Sequence, residues 1–277
     1  MKTCIALFLA MLILTGCGVQ RVSAPTEEPT EYTHPHTLTG GTLPPETEET
    51  QPEVTLPAAP DTIPLREGIS TQEALDSFRE VCMAAEFPGA GVDYTLLHRW
   101  ERPVIYRIAS DCTPEDLATV EKFAQWLNAL PGFPGMYPEA ENSGEANLLL
   151  FFWDQEALDA YTREQSGITG CEGYTTVWYD DENLAVDHGT IYLLSSMAQE
   201  DRESVILEEI YNTLGPLQDT VFREDSIIYQ LTAEEPARWL SPMDELILEL
   251  LYRPELVSGD PWDTCETLIR QVYPDTE

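Results

Sequence analysis

The stretch ILEEIYNTLGPLQD, residues 206–219, carries adjacent glutamates at Glu208 and Glu209, an amide at Asn212, and a further amide and carboxylate at Gln218 and Asp219. On a helix, Glu208 and Asn212 stand four residues apart and meet on one face. HExxH proteins present two zinc-binding histidines at that spacing, with the glutamate after the first acting as general base. Glu209 falls on the general-base position, but oxygen donors fill the ligand positions. A catalytic zinc takes about three protein ligands with a fourth position open, and neutral amides such as Asn212 and Gln218 are poor zinc donors. Without metal nothing lowers the pKa of water from ~15.7 toward ~7, so Glu209 alone cannot drive hydrolysis. No cofactor is therefore expected. The alternative is one divalent cation, and the set Glu208, Asn212, Gln218 and Asp219 suits a hard ion such as Ca²⁺. In so acidic a chain, paired carboxylates are more commonly a solvated face; if buried, they favour one protonated carboxyl.

The element that carries these residues is a helix over DRESVILEEIYNTLG, closed by Gly215. Ile206, Leu207, Ile210, Tyr211 and Leu214 share one arc, with Glu208, Glu209 and Asn212 opposite. Upstream, a helix starts at Ser70 or Thr71, a strand covers 102–109, and a long helix with Pro near its start covers 113–130. The apolar run ANLLLFFW, 146–153, fits a strand buried on both faces. A short helix from Asp154 and strands GYTTVWY and GTIYLLSS follow. Helices from Ser241 and Pro261 complete the chain. The order predicts a single α+β domain: a mixed twisted sheet, a long helix and the acidic helix packed on it, and a helical C-terminal part.

The N-terminus reads differently. Residues 1–16 are one Lys, an uncharged apolar run and small residues, the layout of an export signal, and the run is too short for the ~20 residues that span a bilayer. LTGC, ending at Cys17, resembles the bacterial lipoprotein signal, which implies lipidation of Cys17 and a membrane anchor facing the outside of the cell. Two acyl chains on one Cys give stable attachment. Residues 17–66 hold nine of the 21 prolines, with eight acidic residues against two basic. They read as a disordered Thr/Pro/Glu-rich tether, since nothing there buries enough surface to offset ordering. His34 and His36 belong to it. The folded domain is placed at 67–277. Its 42 acidic residues against 11 basic exclude nucleic-acid backbone binding and basic-patch docking on anionic lipid.

Beyond the single helix, EEIYNTLGPLQD is similar to the metzincin helix HExxHxxGxxH, with Gly215 on the turn glycine and Glu208, Asn212 and Gln218 where the histidines would stand. SIIYQ, with Ser226, Ile228 and Tyr229, resembles the structural turn that follows, Ile228 replacing its methionine. LSPMDELILELLY resembles the next helix. Together with RWERPV these segments resemble more closely a bacterial family known as domain of unknown function 2927, over about residues 97–257. The resemblance implies a zincin-like fold with a degenerate HExxH motif.

Four cysteines remain in the domain, Cys82, Cys112, Cys171 and Cys265, and in an exported chain up to two disulfides are expected, in any of three pairings. No cysteine lies in a recognisable catalytic signature, and His98 and His188 read as structural. Three functions follow. The first is a surface lipoprotein whose non-catalytic metzincin-like domain binds a peptide or protein segment of the cell envelope. The second is an active metal-dependent peptidase using Glu209 as base, and the third a structural envelope component.

Overall fold

Helix starts in this chain are written as side-chain caps, because the first turn leaves amide donors without intrahelical partners. The computed structural model describes residues 16–19 (main chain only), 60–88, 92–141, 145–231 and 237–275. Within them lie the helices α1 (Thr71–Cys82), α2 (Pro114–Asn128), α3 (Gln155–Gln165), α4 (Gln199–Thr213), α5 (Pro242–Leu251) and α6 (Trp262–Val272). Ser70, Thr113 and Ser241 make reciprocal capping boxes with Glu73, Asp116 and Asp244, and Asp154 caps α3.

The strands are β1 (Gly16–Val19), β2 (Val104–Ile108), β3 (Met136–Pro138), β4 (Leu148–Trp153), β5 (Gly173–Tyr179) and β6 (Val186–Leu194). They form one mixed sheet in the order β1-β5-β6-β4-β2-β3. β5 runs antiparallel to β6, and every other neighbouring pair is parallel. The α+β class expected from the element order is the one observed. β3 lies in a stretch that reads as loop, since three residues show no periodicity. Asn128 at the end of α2 clamps it, accepting from Met136 N at 2.6 Å and donating to Met136 O at 2.9 Å.

β4 explains its own sequence. Leu148, Leu150 and Phe152 enter the main core with α1, α2, α4, α5 and α6. Phe151 and Trp153 point to the other face, into a smaller core of Leu158, Cys171, Tyr174, Tyr192 and Leu194 under α3. A continuous apolar run is what two covered faces require.

The folded body begins before residue 67. Ile63 donates its amide to Val272 O at 2.6 Å, and Arg66 pairs with Glu249 at 2.7 Å. Residues 60–66 therefore dock on α5 and α6 rather than continuing the expected tether, because Ile63 packs on the core and Arg66 finds carboxylates on α5. At the other end of the expected tether, the main chain of residues 17–19 lies in β1; residues 1–15 and 20–59 lie outside the described set.

The four cysteines expected to pair are free thiols. Cys82 and Cys265 lie in the main core, Cys171 belongs to the smaller core across the sheet, and half-buried Cys112 precedes α2. Burial pushes the Cys82 thiol well up, Cys171 to about 11 and Cys265 to about 12. None of these three is a ready nucleophile at neutral pH.

One buried ion pair fixes α4 against α2. Arg202 Nε meets Asp116 Oδ1 at 2.9 Å, and Arg202 also donates to the carbonyls of Ser195 and Met197. Asp116 serves at once as capping-box partner of Thr113 and acceptor for Gln199. Removing one partner of such a pair strands the other charge in the interior. Asp116→Ala should destabilise the fold by about 3–5 kcal/mol in urea unfolding, and Asp116→Leu with Arg202→Met by much less.

Candidate functional site

The helix that carries the chemistry is buried on every side. From Val205 to Thr213 each α4 residue is buried, Glu208 at 7%, Glu209 at 0% and Asn212 at 1% exposure. The solvated face expected for the paired glutamates is not what forms. α4 packs at once against α2, β5 and β6, so Glu209 faces Gly173 of the sheet while Glu208 and Asn212 face Asp219 of the following loop instead of water.

β5 holds Glu209 in place. Thr175 Oγ1 donates to the Glu209 carbonyl at 3.1 Å. Gly173, one register step along, has no Cβ because an added one would collide with Glu209 Oε1. A glycine inside a strand marks such close approach. After α4 the chain turns at Gly215, whose φ of +129° and contact with His98 O both exclude a side chain. Leu217 N then bonds Val81 O at 2.8 Å, which returns the loop to α1.

That turn places buried Asp219 beside α4, where Asn212 Nδ2 reaches Asp219 Oδ1 at 3.4 Å. Gln218 is half-buried and donates to the Asp219 carbonyl at 3.2 Å, so its amide turns along its own loop. Glu86, held by Gln230 Nε2 at 2.8 Å, adds a fourth carboxyl to Glu208, Glu209 and Asp219. The sequence gives no hint of Glu86, which lies beyond the end of α1 and far from the motif.

The electrostatics follow from burial without a cation. Burial lifts the Glu209 carboxyl well above the usual carboxylate range. Thr175 opposes this slightly, and the charges of Asp219 and Glu86 add to it. Asp219 is lifted likewise, first by burial and then by Glu208 and Glu86, against the Asn212 amide. Both Glu209 carboxyl oxygens, Asp219 Oδ2 and Asn212 Oδ1 lack hydrogen-bond partners among the described residues. The group is thus driven toward protonated carboxyls, and a protonated Glu209 cannot accept a proton as a base. Among the described residues, no group of three or more His, Cys, Asp or Glu side chains is arranged to hold a metal ion.

The Ser226–Tyr229 turn is fixed from α5. Asp244 accepts from Ser226 Oγ at 2.6 Å, from Ile227 N at 2.9 Å and from Ser241 N at 2.8 Å. Ile228 is buried in the main core, and Tyr229 bridges to Thr220. Both ring nitrogens of His98 face carbonyls, of Leu184 at 2.9 Å and Asp93 at 3.1 Å. His188 lies on β6, on the far face of the sheet. Neither histidine joins the acidic cluster.

The family model described as "Protein of unknown function (DUF2927)" matches residues 71–271, more than half of the chain. The chain belongs to that family. No curated protein and no solved structure matches it.

A buried carboxyl with a raised folded-state pKa makes a contribution that is whole below its unfolded pKa of ~4.3 and is lost as pH rises through the folded value. Thermal stability of the chain should therefore fall from mildly acidic toward neutral and alkaline pH. Glu209→Gln should flatten that slope in a pH series of melting curves, by about 1.4 kcal/mol for each unit by which folding raises the pKa. An unchanged slope would show that Glu209 is not the group responsible.

Proposed function

We propose that this chain is a bacterial lipoprotein, anchored through Cys17 on the outer side of the membrane. Its metzincin-like domain binds an extended peptide or protein segment without cutting it. The observation that carries the peptide reading is the edge of β5. This strand lies directly over α4, and its outer side pairs main chain to main chain with Gly16–Val19 along Tyr174–Val177; cleavage after Gly16 and lipidation of Cys17 would draw that segment to the membrane and leave the edge to an extended ligand. Adding a strand to a sheet edge supplies main-chain hydrogen bonds from the ligand, with alternate side chains left to set preference.

Three features support binding over catalysis. The positions that match the metzincin ligands hold Glu208, Asn212 and Gln218, and Gln218 is engaged along its own loop. Glu209 is fully buried and driven toward its protonated form. Asn212, at the second ligand position, turns its amide nitrogen to Asp219 Oδ1 at 3.4 Å.

A second reading keeps one divalent cation and peptidase activity. The unpartnered oxygens of Glu209, Asp219 and Asn212 favour it, since a hard cation would satisfy them. Metal analysis by mass spectrometry separates the two. The binding reading expects less than stoichiometric metal, no cleavage of a random peptide library, and slowed amide hydrogen exchange in β5 when library peptides bind. One equivalent of metal that is lost in Glu208→Ala, together with cleavage, would overturn it.

A further inference from the structure

The sheet face opposite α4 carries a cavity of its own, away from the β5 edge, and its occupant does not depend on the peptide-binding reading. α3 covers only part of the face opposite α4, the part where Phe151, Trp153, Tyr174 and Tyr192 form the smaller core. Beyond it the same face runs on across four strands with buried Ile105 and with Leu149, Thr190, His188 and Trp178, which among the described residues form the floor of a cavity of about 560 Å³. Ligand pockets commonly measure about 300–1,000 Å³.

Its walls are built from a few ordered side chains. Trp178 and His188 are register partners on β5 and β6, and their rings stack 4.7 Å apart at 9°. Asp187 holds His188 through Nδ1 at 3.1 Å and Arg102 at 2.6 Å, so Nε2 is the imidazole nitrogen offered to a ligand. Asn147 stiffens the floor by bonding Ile105 N at 2.6 Å and Pro103 O at 3.0 Å. Glu145 completes the rim.

We propose that this cavity binds a short neutral saccharide. The floor is a sheet face whose main-chain groups are already paired between strands, so a peptide cannot add to it as a strand. Recognition there must come from side chains. Arg102 is offset by Asp187, and a chain of formal net charge −36 repels anionic ligands. What remains is an aromatic wall beside carboxylates and an imidazole nitrogen. A sugar ring fits that chemistry: its C–H face lies on the aromatic pair, and its hydroxyls donate to Glu145, to Asp187 or to His188 Nε2, which is left as the acceptor because Nδ1–H is turned to Asp187. A flat aromatic ligand fits less well, because Trp178 and His188 already stack on each other.

The test is calorimetric titration of the full-length chain with chitotriose, cellotriose and maltotriose, and with adenosine as the flat aromatic control. At least one trisaccharide should bind with one-to-one stoichiometry. Trp178→Ala should weaken it by roughly tenfold or more, Trp178→Phe should retain most of it, and Glu209→Gln should leave it unchanged. The phenylalanine variant keeps the stack, so it guards against an alanine variant that fails to fold. Binding of none of the three sugars, tighter binding of adenosine, or sugar binding indifferent to Trp178→Ala in a folded variant would overturn the proposal. Slowed exchange in β5 with peptides reports on the other site, so the two readings fail separately.

Discussion

Glu209 sits at zero exposure beneath a glycine of β5, and the cost of burying a carboxylate organises much of what surrounds it. An ionised carboxyl in the interior needs a paired charge or a cation. Its neighbours Glu208, Asp219 and Glu86 are themselves acids. Binding a proton lowers that cost, and burial pushes Glu209 and Asp219 in that direction. The same burial that keeps the motif shielded raises the Glu209 carboxyl well above the usual carboxylate range.

Keeping α4 in this position takes restraints at both ends. Its first residue follows Ala198, which provides no side-chain cap. The Arg202–Asp116 pair and the Gln199 contacts fix that end against α2 instead. At the C-terminal end, carbonyls left without helical partners are taken up by large side chains: Trp100 Nε1 donates to Thr213 O at 2.9 Å and Tyr252 Oη to Leu214 O at 2.8 Å. Arg99 in turn donates to the carbonyls of Leu251 and Arg253 at the end of α5. Arg99 and Trp100 of RWERPV and Tyr252 of ELLYRP are thus helix-end fittings.

The sheet separates two kinds of surface. One face packs against the acidic helix, and β5 on that side pairs main chain to main chain with Gly16–Val19. The other face is half covered by α3 and half open, where recognition falls to side chains such as Trp178 and His188. Each surface can change without rearranging the other, since the strands between them carry both through alternation.

Local rules made much of the architecture legible. Caps at Ser70, Thr113, Asp154 and Ser241, the period of α2, and the apolar run of β4 are short-range signals, and the elements appear where those signals stand. Gly215 was readable as a turn because its need for positive φ is local. The state of the site was not legible. A helical wheel showed Glu208, Glu209 and Asn212 as a polar arc, and polar arcs ordinarily face water. Only the packing of α4 between α2 and the sheet decided that this arc is buried. The presence of Glu86, the service of Asp244 to the Ser226 turn, the docking of residues 60–66 and the open cavity under Trp178 were decided the same way. Each depends on contacts between residues distant in the chain, and sequence patterns report neighbours along a helix or strand but not what another element will set against them.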